Sequence, residues 1–218
     1  MKKPFFYLLM LIAGTLAGQA QSAFHPEVAI GANAVSDWSS VGFTPRVPQT
    51  LLHQYGGGLT LRYISEKTFG LQVELNYAMR GWNQEVDTVV HFDRYARSLA
   101  YLELPVLTHI YFDLGKHARL IFNLGPQIAY QLREKELERD IISDDTYYDL
   151  PVQHRFDYGI AGGGGLEIRS GIGNFLIEGR YYYGLSDIFN SSRGNHFQAS
   201  HNQVISLRIS YLIDLLKH

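Results

Sequence analysis

Two consecutive segments, residues 100–112 and 118–130, alternate between apolar and polar side chains at every second position. In the first segment the leucine, valine, isoleucine and phenylalanine side chains share one face, and Glu103, Pro105 and His109 lie on the other. Only Leu107 and Thr108 break the alternation. A period of two residues is typical of strands with one buried face. The short connection 113–117 therefore predicts a long β-hairpin.

Six further segments show the same alternation, so that the chain is predicted to contain strands and no helices. The clearest is 69–80, where large apolar residues oppose Gln72, Glu74, Asn76 and Arg80. Together with the hairpin they make eight strands. We place these near 27–34, 58–63, 69–80, 100–112, 118–130, 155–168, 175–185 and 203–213.

The connections between these strands alternate in length. Long loops are expected at 36–55, 82–95, 133–153 and 186–202, and short turns at 65–68, 113–117 and 170–173. Bacterial outer-membrane barrels have long outer loops and short periplasmic turns, whereas a soluble sandwich or lipocalin has no reason for this regularity. The sequence therefore predicts an all-β, eight-stranded antiparallel transmembrane up-and-down β-barrel, closed within a single chain and monomeric.

Aromatic residues on the apolar faces lie near the predicted strand ends. Such bands are expected where a barrel meets the two lipid interfaces. A soluble β-core is the alternative reading, but it does not require aromatic residues to be sorted in this way. The outer girdle is predicted to contain Tyr77, Tyr130, Phe156, Tyr158 and Tyr183, and the periplasmic girdle Phe69, Phe112, Phe175 and Tyr211.

The N-terminus has the order of a secretory signal peptide: Lys2 and Lys3, an apolar run over 5–17, and small residues around Ala20. The run is too short for a helix that crosses a hydrocarbon core of about 30 Å. We predict a signal peptide over 1–20 and one barrel domain over 21–218. Without the two lysines, 17 basic residues face 21 acidic ones, which does not favour nucleic acid as a partner. The chain contains no cysteine.

Four segments resemble the PorT-type outer-membrane β-barrel family of Bacteroidetes, over nearly the whole mature chain. These are 101–105 (YLELP), 122–127 (FNLGPQ), the glycine-rich 159–166, and 180–185 (RYYYGL). The resemblance implies an outer-membrane barrel. For the family's namesake it further implies a role in the maturation or secretion of exported proteins by the type IX route.

The polar faces carry eight charged residues that are balanced four to four. In a narrow barrel this pattern predicts a paired network that fills the lumen. The alternatives are a catalytic carboxylate pair and a polar conduction path. The predicted network consists of Arg62, Glu74, Arg80, Glu103, Glu167, Glu178, Arg180 and Arg208.

Other candidate sites are weaker. The charged segment 133–153 could bind a divalent cation, but it lacks the order of a calcium loop and is predicted to be a solvated loop. The histidines at 91, 109, 154, 196 and 201 show no zinc spacing. The glycine run 162–165 is not followed by a phosphate-loop signature, and it is expected to bend the strand or relieve crowding by inward side chains. Pro105 and Pro126 predict a bulge or a missing hydrogen bond.

Two classes of function follow. The favoured class is a non-enzymatic barrel, without cofactor or metal, that contacts outer-membrane lipid and assists secretion or envelope assembly, or binds a partner through its outer loops. The alternative is an outer-membrane enzyme that acts on lipid or peptide at the rim. A serine and a histidine within hydrogen-bond reach, with a carboxylate behind the histidine, would favour the enzyme. Aromatic residues in the predicted loops could form a contact surface or could pack on one another; they are Trp38, Phe43, Trp82, Phe92, Tyr147, Tyr148, Phe189 and Phe197.

Overall fold

The computed structural model describes residues 26–87, 92–140, 151–190 and 198–216, and it contains eight strands. The predicted signal peptide lies outside these ranges and stays a prediction. Within them, no helix has the length and apolarity needed to cross a bilayer. The strands are β1 (Glu27–Thr44), β2 (Leu52–Glu66), β3 (Phe69–Asp87), β4 (Phe92–Asp113), β5 (Ala118–Asp140), β6 (Phe156–Ser170), β7 (Gly173–Gly184) and β8 (Ala199–Leu216).

Each strand pairs antiparallel with the next, and β8 pairs with β1 to close the barrel. The predicted fold class is therefore confirmed. A line of paired residues that starts at Val28 and crosses all eight strands returns to β1 at Trp38, ten residues further along. This displacement means that the strands are tilted, as closure of a barrel requires. The line passes through Tyr63, Leu71, Thr108, Leu124, Gly162, Tyr181 and Ile205.

The strands are longer than predicted at one end of the barrel, which we call the outer end. It carries the connections 45–51, 88–91, 141–155 and 185–198; the opposite, periplasmic end carries 67–68, 114–117 and 171–172. The loops predicted at 36–55, 82–95 and 133–153 were wrong over much of their length, because β1 to β5 continue through them. Near the mouth of the barrel some inward positions are apolar, such as Val41, Phe43 and Trp82, and the exposed end of β5 is polar, so that the pattern of outward apolar and inward polar residues is lost there.

Side chains alternate between the interior and the outside of the barrel. Leu107 is fully buried inside, and Thr108 faces outward at a position that would otherwise be apolar. The two residues that seemed to break the pattern therefore keep the strand parity. The glycine run does not interrupt β6, which pairs continuously with both neighbours.

At each of the two prolines, the ladder lacks two consecutive cross-strand pairs, and the register on either side is the same. The β3–β4 ladder passes from Val73↔Val106 to Asn76↔Glu103, across from Pro105, and the β4–β5 ladder passes from Pro105↔Gln127 to Thr108↔Leu124, across from Pro126. Proline has no amide hydrogen to donate. Of the two outcomes predicted, the structure shows interrupted pairing and not a bulge.

An apolar surface encircles the middle of the barrel. Leu59, Leu75, Leu124, Ile160 and Ile209 are among its members, and each exposes about half of its side chain. At about 3.3 Å per residue and a tilt of about 40°, the ten residues from Val28 to Trp38 rise by about 25 Å. That is the height of the lipid-facing band of outer-membrane barrels.

Candidate functional site: the barrel interior and the outer end

Glu74 on β3 lies at the centre of the interior charge network. Arg180 donates hydrogen bonds from Nη1 and Nη2 to its two carboxylate oxygens, both at 2.9 Å, and Arg208 donates a third at 2.8 Å. Gln72 and Asn76 add two more, at 2.6 and 3.0 Å. Five donors from three strands therefore satisfy one buried carboxylate.

Arg180 also binds Glu178, its neighbour on β7, through Nε and Nη2 at 2.9 Å. Asn123 on β5 donates to the same carboxylate at 3.0 Å. The guanidinium thus contacts two carboxylates with a planar, bidentate geometry, which is the strongest form of this contact. Arg180 thus links β7 to β3 across the lumen, and Asn123 joins β5 to the same group through Glu178.

The other two arginines make separate pairs. Arg62 donates to Glu167 at 2.8 Å and to Gln72 at 2.9 and 3.0 Å. Arg80 lies 2.5 Å from Glu103 and 2.9 Å from Asp157. Its Cζ atom lies 4.2 Å from the centre of the Tyr182 ring, a cation–π contact. All eight residues of the predicted network are buried in the interior.

Sequence reasoning missed two buried carboxylates of this network, Asp157 and Asp37. Asp157 accepts hydrogen bonds from Arg80, Ser186 and Asn202. Asp37 accepts one from Ser206 at 2.5 Å. The parity of β6 already puts Asp157 on the same inward face as Glu167, whereas Asp37 was assigned to a loop.

Two inward glycines of β6 lie close to the backbone of β7. A Cβ atom on Gly163 would lie 2.2 Å from the carbonyl oxygen of Gly179 and 2.8 Å from Cα of Arg180. A Cβ atom on Gly165 would lie 2.0 Å from the carbonyl oxygen of Ile177. The inward glycines of β6 therefore let the backbone of β7 approach closely, and the nearest atoms belong to that backbone rather than to the inward side chains that were expected to crowd the run.

An apolar cluster fills the outer end of the barrel above the charges. Phe43, Trp82 and Phe189 meet there in edge or tilted contacts with ring centroids 5.6 to 6.2 Å apart. They are 7%, 3% and 4% exposed. Of the two alternatives for the loop aromatics, mutual packing holds for these three, and Phe43 and Trp82 lie on inward strand positions rather than in loops. The other members are Val41, Tyr95, Leu99, Tyr101, Ala129 and Ile188.

The segment 185–190 holds this cluster in place. The amide of Ile188 donates to the carbonyl of Ser200 at 2.8 Å, and the amides of Gln153 and His154 donate to the carbonyl of Ile188 at 3.1 Å. The amide of Phe189 donates to Oγ of Ser200 at 3.0 Å. The start of the β7–β8 connection is thus folded into the barrel mouth.

Every residue of the predicted girdles faces outward, and the structure adds Trp38, His53 and Tyr55 at the outer level on β1 and β2. Trp38 stacks on His53 with ring centroids 5.0 Å apart, and Tyr55 meets His53 edge-on at 4.7 Å. Trp38 was predicted in a loop, but it lies on an outward position of β1. Of the remaining aromatics named above, Tyr147, Tyr148 and Phe197 lie outside the described ranges, as does the side chain of Phe92.

Within the described ranges, one serine lies within hydrogen-bond reach of a histidine. Oγ of Ser36 lies 2.7 Å from Nε2 of His53 on the outward face. Among the residues that the structure describes, no carboxylate hydrogen-bonds to His53, so that the pair lacks the orienting group of a triad. His109 is buried against Asn123, 2.8 Å away, and His91 and His196 lie outside the described ranges.

The segment 133–140, predicted as part of a solvated loop, forms the end of β5. Its side chains are exposed, and Arg133 donates to the hydroxyl of the girdle residue Tyr77 at 3.1 Å. Within the described ranges, no group of three histidine or carboxylate residues is placed to hold a metal ion. The aspartates at 144, 145 and 149 are not among the described residues.

Comparison with solved structures gives neighbours of low sequence identity. OprG from Pseudomonas aeruginosa aligns over 88% of this chain and 96% of its own, with 13% identity and a TM-score of 0.49. Neisserial surface protein A covers 86% and 99%, with 11% identity and a TM-score of 0.46. Ail of Yersinia pestis, in complex with a heparin analogue, covers 86% and 97%, with 15% identity and a TM-score of 0.39. No curated protein matches the chain.

The chain matches a known protein family over most of its length. A model described as the outer membrane protein beta-barrel domain matches residues 19–190, which is most of the chain. The match agrees with the closed ring of eight strands and with the outward apolar band. The chain therefore belongs to the outer membrane protein beta-barrel domain family and is a protein of the outer membrane.

Proposed function

We propose that the protein is a non-enzymatic, non-conducting outer-membrane barrel that acts through its outer surface. The observation that carries this proposal is the filled interior. Arginine and carboxylate side chains from β2, β3, β4, β6, β7 and β8 meet across the lumen, and the apolar cluster lies above them. An eight-stranded barrel is just wide enough to be filled by its own side chains.

Planar-bilayer recording of the purified protein tests this proposal. A sealed interior predicts no stable single-channel current, because water and ions would have to cross both the charged layer and the apolar cluster. Stable ohmic conductance would overturn the proposal and would favour a pore. Heat-dependent migration on gels serves as the control that the protein in the bilayer is folded.

With the lumen closed, the proposed function lies on the outer surface. The ends of β3, β4 and β5 pair with one another beyond the girdle, from Trp82↔Arg97 to Asp87↔Phe92 and from Ala100↔Arg133 to Arg94↔Asp140. This three-stranded extension is a contact surface for another envelope protein. Secretion or envelope assembly, which the resemblance to PorT-type barrels implies, is a function of this kind.

Co-purification tests the partner role. The full chain would be extracted from native membranes in mild detergent, beside a variant in which 134–139 is replaced by a two-residue turn. A partner that is retained by the wild type and lost from the folded variant supports the proposal. Equal recovery of every associated protein would count against the extension as the contact surface.

Among the described residues, Ser36 and His53 are the serine and histidine that the alternative, a hydrolase of lipid or peptide, could use. Their 2.7 Å contact lies on the lipid-facing side, where a lipid ester could approach. Without an orienting carboxylate, this pair is better explained as part of the outer girdle, where Trp38 and Tyr55 hold the imidazole. Release of fatty acid from phospholipid vesicles by the wild type, lost in Ser36→Ala, would establish the enzyme and reject the non-enzymatic proposal.

A further inference from the structure

A cavity of about 750 Å³ lies between the outer end of β1 and the connection 45–51. Ser40 and Gly42 on β1 and Gln203 on β8 line it and face outward, which places it on the outside of the barrel rather than in the lumen. Its volume lies within the range of small-molecule sites. Neither the interior network nor the proposed partner surface includes it.

Two features keep the cavity open. Gly42 has no side chain, and a Cβ atom there would lie 2.4 Å from Nε2 of His201. Gln49 holds the connection against β1, because its side-chain amide accepts from the amide of Val41 at 3.1 Å and donates to the carbonyl of Val41 at 2.7 Å. The amide group of Gln49 thus takes the place of a strand neighbour where β2 no longer reaches.

The cavity lies at the level of lipid headgroups. Ser40 is two residues beyond Trp38 on the same face of β1. Gln203 pairs with Ser40 on one side and with the girdle residue Tyr183 on the other. Aromatic girdles mark the boundary between hydrocarbon and headgroups. A groove immediately beyond the girdle therefore opens among the headgroups of the outer leaflet.

The lining combines one basic residue and several polar ones with apolar residues such as Val47 and Leu51. Arg46 is exposed at the cavity and forms no ion pair with any described residue. None of the described residues that line the cavity is acidic. The hydroxyl of Ser40 and the amide of Gln203 suit sugar hydroxyls, and a guanidinium suits a phosphate. The side-chain amide of Gln203 also hydrogen-bonds to His201 at 3.0 Å.

We propose that this cavity binds the phosphorylated sugar headgroup of an outer-leaflet lipid, with Arg46 on the phosphate. The occupant is a lipid rather than a free sugar phosphate, because the cavity opens next to the apolar band, where the acyl chains of such a lipid would pack. The proposal is independent of the partner role of the β3–β4–β5 extension. It assigns a ligand to a different part of the outer surface.

The test is native mass spectrometry of the purified full chain in detergent, with bisphosphorylated lipid A and its dephosphorylated form as the two probes. The wild type is expected to retain the phosphorylated form preferentially. Arg46→Ala should weaken that binding about tenfold, the value of one charge-assisted hydrogen bond. Gly42→Leu, which fills the cavity, should abolish it.

Arg133→Ala is the matched control, because Arg133 is an exposed arginine at the same level but outside the cavity. An equal loss in Arg133→Ala would show general charge attraction and overturn the site. Equal retention of the two lipid forms, or unchanged binding in Arg46→Ala, would do so as well. Binding of glucosamine phosphate as tight as that of the lipid would overturn the lipid assignment. If Gly42→Leu does not fold, Arg46→Ala beside Arg133→Ala decides the question.

Discussion

Arg180 and Glu74 face each other across the barrel interior with two parallel hydrogen bonds of 2.9 Å, one from each terminal nitrogen of the guanidinium. Both side chains are nearly fully buried. Because the partners come from β7 and β3, this contact spans the interior and links opposite walls of the barrel.

Glu74→Ala should lower the free energy of unfolding in detergent by about 3–5 kcal/mol. It leaves Arg180 with one carboxylate and removes the only carboxylate that contacts Arg208 among the described residues, so that buried positive charge goes uncompensated. Urea titration followed by gel migration measures the change. Glu66→Ala, at an exposed position beside the periplasmic turn, is the control and should change stability by no more than about 0.5 kcal/mol. Similar losses in the two variants would contradict a stabilising role for the network.

The second prediction concerns the glycines of β6 and β7. Gly163→Ala should impair folding, because its Cβ atom would lie 2.2 Å from the backbone oxygen of Gly179. Gly179→Ala should be tolerated, since nothing lies within 4 Å of the Cβ position there. The folded fraction after refolding into detergent micelles, read from heat-dependent gel migration, compares the two variants. Loss of folding in both would indicate that glycine is required for backbone flexibility rather than for space.

The accuracy with which the sequence predicts this structure varies along each strand. Within the membrane, lipid on one side and a polar lumen on the other impose a strict alternation, and the parity of Glu178, Arg180 and Arg208 could be read directly. Beyond the outer girdle the environments reverse: Phe43 and Trp82 face an apolar interior, and the outward residues meet water. A search for outward apolar faces therefore ends the strands too early.

The partners within the network could not be predicted from parity alone. Parity places a side chain inside, but the tilt of the strands decides which of the inward residues meet. Glu74 contacts Arg180, which is 106 positions away in sequence, and Asp157 rather than a glutamate shares Arg80 with Glu103. The shear of the barrel sets these contacts, and it emerges only from the register of all eight ladders.

The last prediction concerns the apolar cluster at the outer end. Phe189→Ala should lower the free energy of unfolding by about 3–5 kcal/mol, because it removes a buried ring that packs on Phe43 and Trp82. Leu185→Ala is the matched control, since Leu185 lies four residues earlier in the same connection and is about half exposed. Its effect should stay within about 0.5 kcal/mol.

The same variant distinguishes the contribution of the apolar cluster from that of the charge network in the barrel interior. Phe189→Ala should remain non-conducting in planar bilayers, because Arg80, Glu103 and Asp157 still meet below the cavity that the substitution leaves. Combining it with Arg80→Ala removes the charged contact beneath the ring and should admit water to the upper lumen, detected as faster hydrogen exchange at the amides of β3 and β4. If Phe189→Ala alone produced a stable current, the apolar cluster would be the only seal of the barrel, and the charge network would act in stability rather than in closing the lumen.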